Sequence, residues 1–280
     1  MVPQDAVLGW DEDTTAESYA AFTREFPMYA ATSRDLVNRA SLEDARLVVD
    51  LCGGTGATAR AILDTAPAQA RVISLDNAAA MQRVGRRHLH DPRLTWITSP
   101  AERLADHVPA QGADAVVCNS AIWKTDTAAV FGAVASVLRP GGRFVFNIGG
   151  GFTGVRHPDE QAASTGPSLN TLIRQIAVRD HGYAPPPASD APPKLPLRKA
   201  AEQLAFVGLD IVHTEVTAQH STMAEKKAWL SIPVFARPDG PFTHAQRMQI
   251  LDAAYAQTTP DTPTVTSWLV VVAQRPDGSQ

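Results

Sequence analysis

The chain has 280 residues, 44% of them hydrophobic and 19% charged, with a formal net charge of −4. That length and apolar share suit one soluble domain with a sizeable core and room for a subdomain. The mildly acidic balance and the lack of a Lys/Arg run argue against nucleic acid or an anionic membrane surface as the main partner, and no apolar run approaches the ~18 residues of a spanning helix. The two cysteines cannot build a disulfide framework. With no basic-then-apolar leader at the start, a cytoplasmic protein is expected. The oligomeric state is left open.

Residues 14–40 read as helical, with Tyr19, Phe22, Phe26, Tyr29, Leu36 and Val37 at the apolar positions and a break near Pro27. Strands and helices then alternate: strand 46–51, helix 56–64, strand 71–75, helix 78–89, strands 93–98 and 114–118, helix 126–138, strand 143–148. The pattern predicts an α/β fold, with right-handed crossovers and a ligand crevice at the strands' C-terminal ends. Beyond Ile148 a Gly-Gly-Gly stretch opens a polar segment rich in Gly, Ser and Pro, followed by a helix over 169–179 and two proline clusters. A helix over 197–206, a strand over 209–216, two helical pieces within 222–256 and a strand over 265–273 complete the chain. The organisation expected is an N-terminal helical cover (1–40), a core (41–150), a lid or linker insertion (151–200) and completion of the sheet (201–280), with a helical insertion at about 222–256. Long loops like those at 150–190 are functional lids or connectors. Few large apolar residues are expected to be buried there, and with 14–30 this segment is expected to form a mobile lid.

The most informative stretch is Leu47-Val48-Val49-Asp50-Leu51-Cys52-Gly53-Gly54-Thr55-Gly56. A strand runs into a glycine-rich turn, where the backbone can approach a ligand that any Cβ would hit, and the following helix offers free N–H groups. Gly54-Thr55-Gly56-Ala57-Thr58-Ala59 also satisfies the relaxed dinucleotide pattern, which keeps an NAD-dependent oxidoreductase open as an alternative. Three further segments bear on this: a second strand ending in Asp76, a fourth strand leading to Asn119 and Ser120, and Leu138-Arg139-Pro140-Gly141-Gly142 before the fifth strand.

Together these residues resemble the class I S-adenosylmethionine-dependent methyltransferases, with Cys52 where that family's first loop glycine usually stands. The resemblance implies a Rossmann-like, doubly wound seven-stranded sheet, mostly parallel with an antiparallel last strand, plus helical lid insertions. It implies S-adenosylmethionine as cofactor and a small-molecule methyl acceptor, with O-, N- and C-methylation all open. The broad group that includes quinone-ring methyltransferases is the nearest likeness. The Ala-, Arg- and Pro-rich make-up suggests a high-GC genome and bacterial specialised metabolism. A Rossmann-like protein that holds the cofactor without transferring methyl, such as a cyclase or binding module, stays open.

Residue by residue, the resemblance puts the loop backbone, with Gly53, Gly54 and Gly56, against the cofactor's amino-acid part, and has Asp50 orient the loop. Asp76 would accept the ribose hydroxyls, Asn77 and Met81 would flank the adenine, and Ala101 and Glu102 would meet its edge. Asn119 and Ser120 would lie below the methionine moiety, with Trp123 beside the reactive methyl. Structural alternatives stand beside these: a helix N-cap for Asp76, core packing for Met81 and Trp123, a turn cap for Asn119. Tyr19, Tyr29 and His157 are candidate acceptor contacts, His157 with the rival reading of a solvated loop histidine. The catalytic base is unassigned, and the chain carries no H-E-x-x-H or C-x-x-C metal arrangement.

Overall fold

The computed structural model describes residues 8–163, 166–186 and 193–277. Their strands are β1 (Leu47–Leu51), β2 (Arg71–Asp76), β3 (Leu94–Thr98), β4 (Ala113–Cys118), β5 (Leu138–Gly149), β6 (Asp210–Thr222) and β7 (Pro263–Gln274). They form one sheet in the order β3-β2-β1-β4-β5-β7-β6. β1 to β5 pair in parallel, while β7 runs antiparallel to both β5 and β6. Strand order reverses between β1 and β4, and a crevice opens there because the adjoining crossovers leave on opposite faces.

The central strands are apolar on both sides, as a sheet covered twice requires. Leu51, Val116, Phe144 and Phe146 face α5 (Thr127–Val137) on one side, where Phe131 sits 5.7 Å from each of the two Phe rings. Val48, Val72, Val117 and Val145 face α2 (Met28–Asn38) and α3 (Ala57–Thr65) on the other. The expected N-terminal helix is two, α1 (Asp13–Glu25) and α2, parted at Pro27. α4 (Ala79–His88) follows β2 and packs on α1 through Ala16, Ala20, Met81 and Val84.

Two strands are longer than the sequence pattern implies. β5 starts at Leu138 because the Pro140-Gly141-Gly142 turn is an irregularity inside the strand: Leu138 pairs with Ala113, and Arg143 with Ala115. Gly141 makes this possible at φ +72, with a Cβ there landing 2.7 Å from Asp277 Oδ1. β6 continues to Thr222 because β7 pairs with it as far as Thr222↔Pro263. The extension carries Ser221, Thr266 and Trp268 up to the crevice.

Past β5 come α6 (Gly150–Thr153), α7 (Pro158–Ala163), α8 (Leu169–His181) and α9 (Leu197–Phe206); α10 (Met223–Leu230) and α11 (His244–Tyr255) follow β6. The 150–190 segment buries more than expected. Leu169, Leu172, Ile173, Ile176 and Ala177 of α8 form a separate apolar cluster with Met223, Leu230, Ile250, Leu251 and Ala254 of α10 and α11. Residues 164–165 and 187–190 of the expected lid lie outside the described residues. Cys52 and Cys118 meet at the ends of β1 and β4 as unbridged, hydrogen-bonded thiols. Among the described residues no helix is long and apolar enough to cross a membrane.

Candidate active site

The loop after β1 is built from beneath. Asp50 is 1% exposed, and its Oδ2 accepts from the Ala59 N–H at 3.1 Å and the Ser74 hydroxyl at 2.9 Å. It thereby ties β2 and the first turn of α3 to the strand end. Its Oδ1 has no partner among the described residues, and burial pushes its pKa to about 7. Above it the chain turns through Cys52 at φ 57, Gly54 at φ 54 and Gly56 at φ 92. Gly53 is pressed against Asp50 and Ser74, leaving no room for a side chain. A Cβ on Gly54 would meet no atom within 4 Å, so this residue faces open space. One on Gly56 would strike the Trp96 ring at 2.6 Å.

Asp76 closes β2 and holds the loop from the side. Its Oδ2 accepts from the Gly54 N–H at 2.9 Å and its Oδ1 from the Ala78 N–H at 2.8 Å. Burial raises its pKa, and those two donors with the Lys124 charge pull it back. Lys124 itself lies 3.7 Å over the Trp10 ring, where burial lowers its pKa to about 8. At the end of β4, Asn119 Nδ2 donates to Thr32 Oγ1 and Ser33 Oγ, both at 3.0 Å, and Ser33 bonds Thr58 at 2.9 Å. The Asn119 Oδ1 is buried without a partner among the described residues. The Ser120 N–H donates to Asn147 Oδ1 at 2.6 Å.

A cavity of about 1440 Å³ runs from this loop across the strand ends. Gly53, Gly54, Asp76, Asn77, Met81, Ala101, Glu102, Asn119 and Ser120 line one end of it. Tyr19, which packs by Ala78 and Met81 and whose ring lies 4.9 Å from that of Tyr29, leads from there to Tyr29 and Trp229, with Trp229 Nε1 donating to the Tyr29 hydroxyl at 3.2 Å. Trp123 stacks on Phe152 at 3.8 Å in the same wall. Of the residues singled out in the sequence, Asp50, Gly56 and His157 stand off the lining. Asp50 lies under the loop and Gly56 against Trp96. His157 is a tether, its N–H donating to Ser267 Oγ at 2.7 Å and its Nδ1 accepting from the Asp159 N–H at 3.1 Å.

The sequence reading passed over Trp10, Lys124, Lys226, Trp229, Phe235 and Trp268, all on the lining. Lys124 had a local signal, since it adjoins Trp123 in the loop leaving β4. The others had none: Lys226, Trp229, Phe235 and Trp268 converge only through α10, the turn at Pro233–Phe235 and the long β6–β7 pair, and Trp10, ahead of α1, only by packing on Phe235 and under Lys124.

Residues 48–142 match the family described as "Methyltransferase domain". Over 134 residues the chain is 33% identical to trans-aconitate 2-methyltransferase of Azoarcus sp. (strain BH72), a match covering 48% of each chain. The chain thus spans about half the length of that curated relative. Similar solved structures include the [4+2]-cyclase SpnF, with a TM-score of 0.55 and 13% identity over 89% of this chain and 81% of that one. The geranyl diphosphate C-methyltransferase of Streptomyces coelicolor A3(2), solved with Mg²⁺, geranyl-S-thiolodiphosphate and S-adenosyl-L-homocysteine, gives a TM-score of 0.51 and 15% identity over 88% and 75%. At such identities the shared property is the fold. Residues 48–142 thus form a methyltransferase domain, set in a seven-stranded sheet of the class I S-adenosylmethionine-dependent methyltransferase fold.

Proposed function

We propose that this protein moves the methyl group of S-adenosylmethionine to a small-molecule acceptor bound at the far end of the same cavity. The supporting observation is continuity: one cavity joins Gly54 and Asp76 to Tyr19, Tyr29 and Trp229. Its loop end fits the cofactor on three counts. The missing side chain of Gly54 leaves open space over the loop, Asn119 Oδ1 is an acceptor in want of a donor, and the Asp76 carboxylate keeps lone pairs beyond those used by Gly54 and Ala78. When bound, S-adenosylmethionine supplies an electrophilic methyl on a sulfonium whose leaving group is a neutral thioether.

The residues divide the remaining work. Asp76 would hold the ribose hydroxyls, Asn77 and Met81 the faces of the adenine, Ala101 and Glu102 its edge. Gly53, Gly54, Asn119 and Ser120 would hold the methionine part, while Asp50 fixes the loop from below. Tyr19, Tyr29, Trp123 and Trp229 would exclude water and align the acceptor, and alignment alone supplies much of the rate of such a displacement. Burial pushes the Tyr29 phenol to about 12 and the Tyr19 phenol well above its ordinary value. Both therefore stay protonated near neutral pH and serve as hydrogen-bond donors, not as bases.

Bacterial specialised metabolism is the proposed setting. Because the curated relative is named for trans-aconitate, organic acids belong in the first panel of acceptors. The test is mass spectrometry of that panel incubated with S-adenosylmethionine. A product heavier by one CH₂, with S-adenosylhomocysteine formed in step, is the expected result. Rearranged product at unchanged mass would replace transfer by a cyclase-type role. Quenching of tryptophan emission by NADH, with none by the methyl donor, would favour an oxidoreductase.

A further inference from the structure

We infer that the acceptor is an organic anion whose negative charge is met by Lys226 of α10 and Arg247 of α11. This deepens the methyl-transfer reading and rests on it. Lys226 and Arg247 both line the cavity, as Trp229 and Gly240 do. The Lys226 ammonium lies 4.6 Å from the centroid of the Trp229 ring, the same ring that donates to Tyr29. Among the described residues no carboxylate stands within 4 Å of it. The acid whose charge it feels, Glu160, is engaged by Arg156 at 3.5 Å and by the Ser267 hydroxyl. Arg247 Nη2 donates to the Gly240 carbonyl at 3.0 Å, while its Nε is buried with no partner among the described residues.

The carboxylates at this end do not neutralise the pair. Asp239 is taken by Arg237 at 3.1 Å. Glu225 accepts from the Met28 N–H, and burial moves its carboxyl toward the protonated form. The neighbouring Lys227, off the lining, shows what these helices do where no ligand is at stake: it pairs with Asp252 of α11 at 2.8 Å. A desolvated ammonium such as that of Lys226, with no counter-ion beside it, is costly, and such a group in a cleft marks a place where a ligand supplies the missing charge. A carboxylate or a phosphate oxygen fits: the guanidinium presents directed donors, the ammonium a point charge, and the protonated Tyr19 and Tyr29 add neutral donors. Lys226 and Arg247 both lie beyond residue 142, outside the matched domain.

The test is calorimetry on protein saturated with S-adenosylhomocysteine, titrated with citrate, with phenyl phosphate and with the neutral trimethyl ester of citrate. At least one anion should bind and the ester should not, and which anion binds separates a carboxylate site from a phosphate site. Lys226→Gln and Arg247→Gln should each weaken anion binding by about tenfold or more, as loss of a charge-assisted contact does. Their melting temperature and affinity for S-adenosylhomocysteine should stay as in the wild type, and Lys226→Arg should recover part of the loss. The inference is overturned if no anion binds, if the ester binds equally well, or if the folded variants hold anions as the wild type does. Failure of S-adenosylhomocysteine itself to bind would instead remove the methyl-transfer reading, and the acceptor site with it.

Discussion

Gly53 and Gly54 are neighbours that require glycine for opposite reasons. Gly53 is pressed onto Asp50 and Ser74 inside the protein, so Gly53→Ala should impair folding itself. Gly54 has nothing near it, so Gly54→Val meets only backbone strain of about 1–2 kcal/mol at its positive φ. It should fold, with native far-UV dichroism, and lose cofactor binding because its side chain fills the ligand's space. Native dichroism with binding retained would show that the loop does not meet the ligand. Asp76→Ala should weaken S-adenosylmethionine by roughly 30- to 1000-fold, about 2–4 kcal/mol, through two lost charge-assisted contacts. Calorimetry returning an affinity within a factor of three of wild type would end the ribose assignment. The acid closing β2 and the glycine run were legible because both are local patterns. The reason for Gly56 was not, since its neighbour Trp96 arrives from β3, forty residues on.

Among the elements, α1 and α2 differ in how they are fastened. α2 is joined to the core by Thr32 and Ser33, which receive Asn119 from β4, and by Ser33 bonding Thr58 in α3. α1 has no such buried polar tie to the strands among the described residues: it rests on α4 through Ala16, Ala20, Met81 and Val84, on α2 and Ile232 through Phe22, and on two exposed ion pairs, Asp13–Arg83 and Glu17–Arg87, and exposed pairs contribute little. This narrows the lid proposal: Tyr19 of α1 and residues 150–152 touch the cavity, whereas α8 backs α10 and α11 without reaching it. Binding of S-adenosylhomocysteine should therefore slow hydrogen exchange in α1 and in 150–153 and leave α8 unchanged. Equal exchange everywhere, with and without ligand, would make α1 a fixed cover. Strand and helix order was readable because hydrophobic period and glycine turns are encoded locally. The extra lengths of β5 and β6 were not, because the pairing of β6 with β7 and the Gly141 irregularity beside β4 set them.

Across the whole molecule, Asp50 ties stability to pH. Its carboxyl has a pKa of about 7 in the folded protein, against an ordinary value of 3.8. The folded state thus keeps a proton that the unfolded chain gives up. The contribution of this group is full below about pH 3.8 and is lost as pH rises through about 7, up to about 4 kcal/mol in all. Asp50→Asn retains an acceptor for Ala59 and Ser74 and should remove that slope. Chemical denaturation at about pH 4.5 and about pH 8 should show the variant gaining on the wild type at the higher value. A stability difference independent of pH would mean that Asp50 is charged in both states.

The cavity lining is split along the chain. The cofactor end draws on residues between Cys52 and Lys124, and much of the acceptor end draws on α1, α2 and the stretch from Gly149 to Trp268. Few covalent neighbours are shared between the two sets. Acceptor choice can therefore drift, or be recombined, without disturbing the grip on the methyl donor. The points to preserve in any such graft are the contacts that join α2 to α10 within the acceptor end, above all Trp229 to Tyr29 and the Met28 N–H to Glu225. A chimaera that exchanges the 222–256 segment without its matching α2 would break both at once.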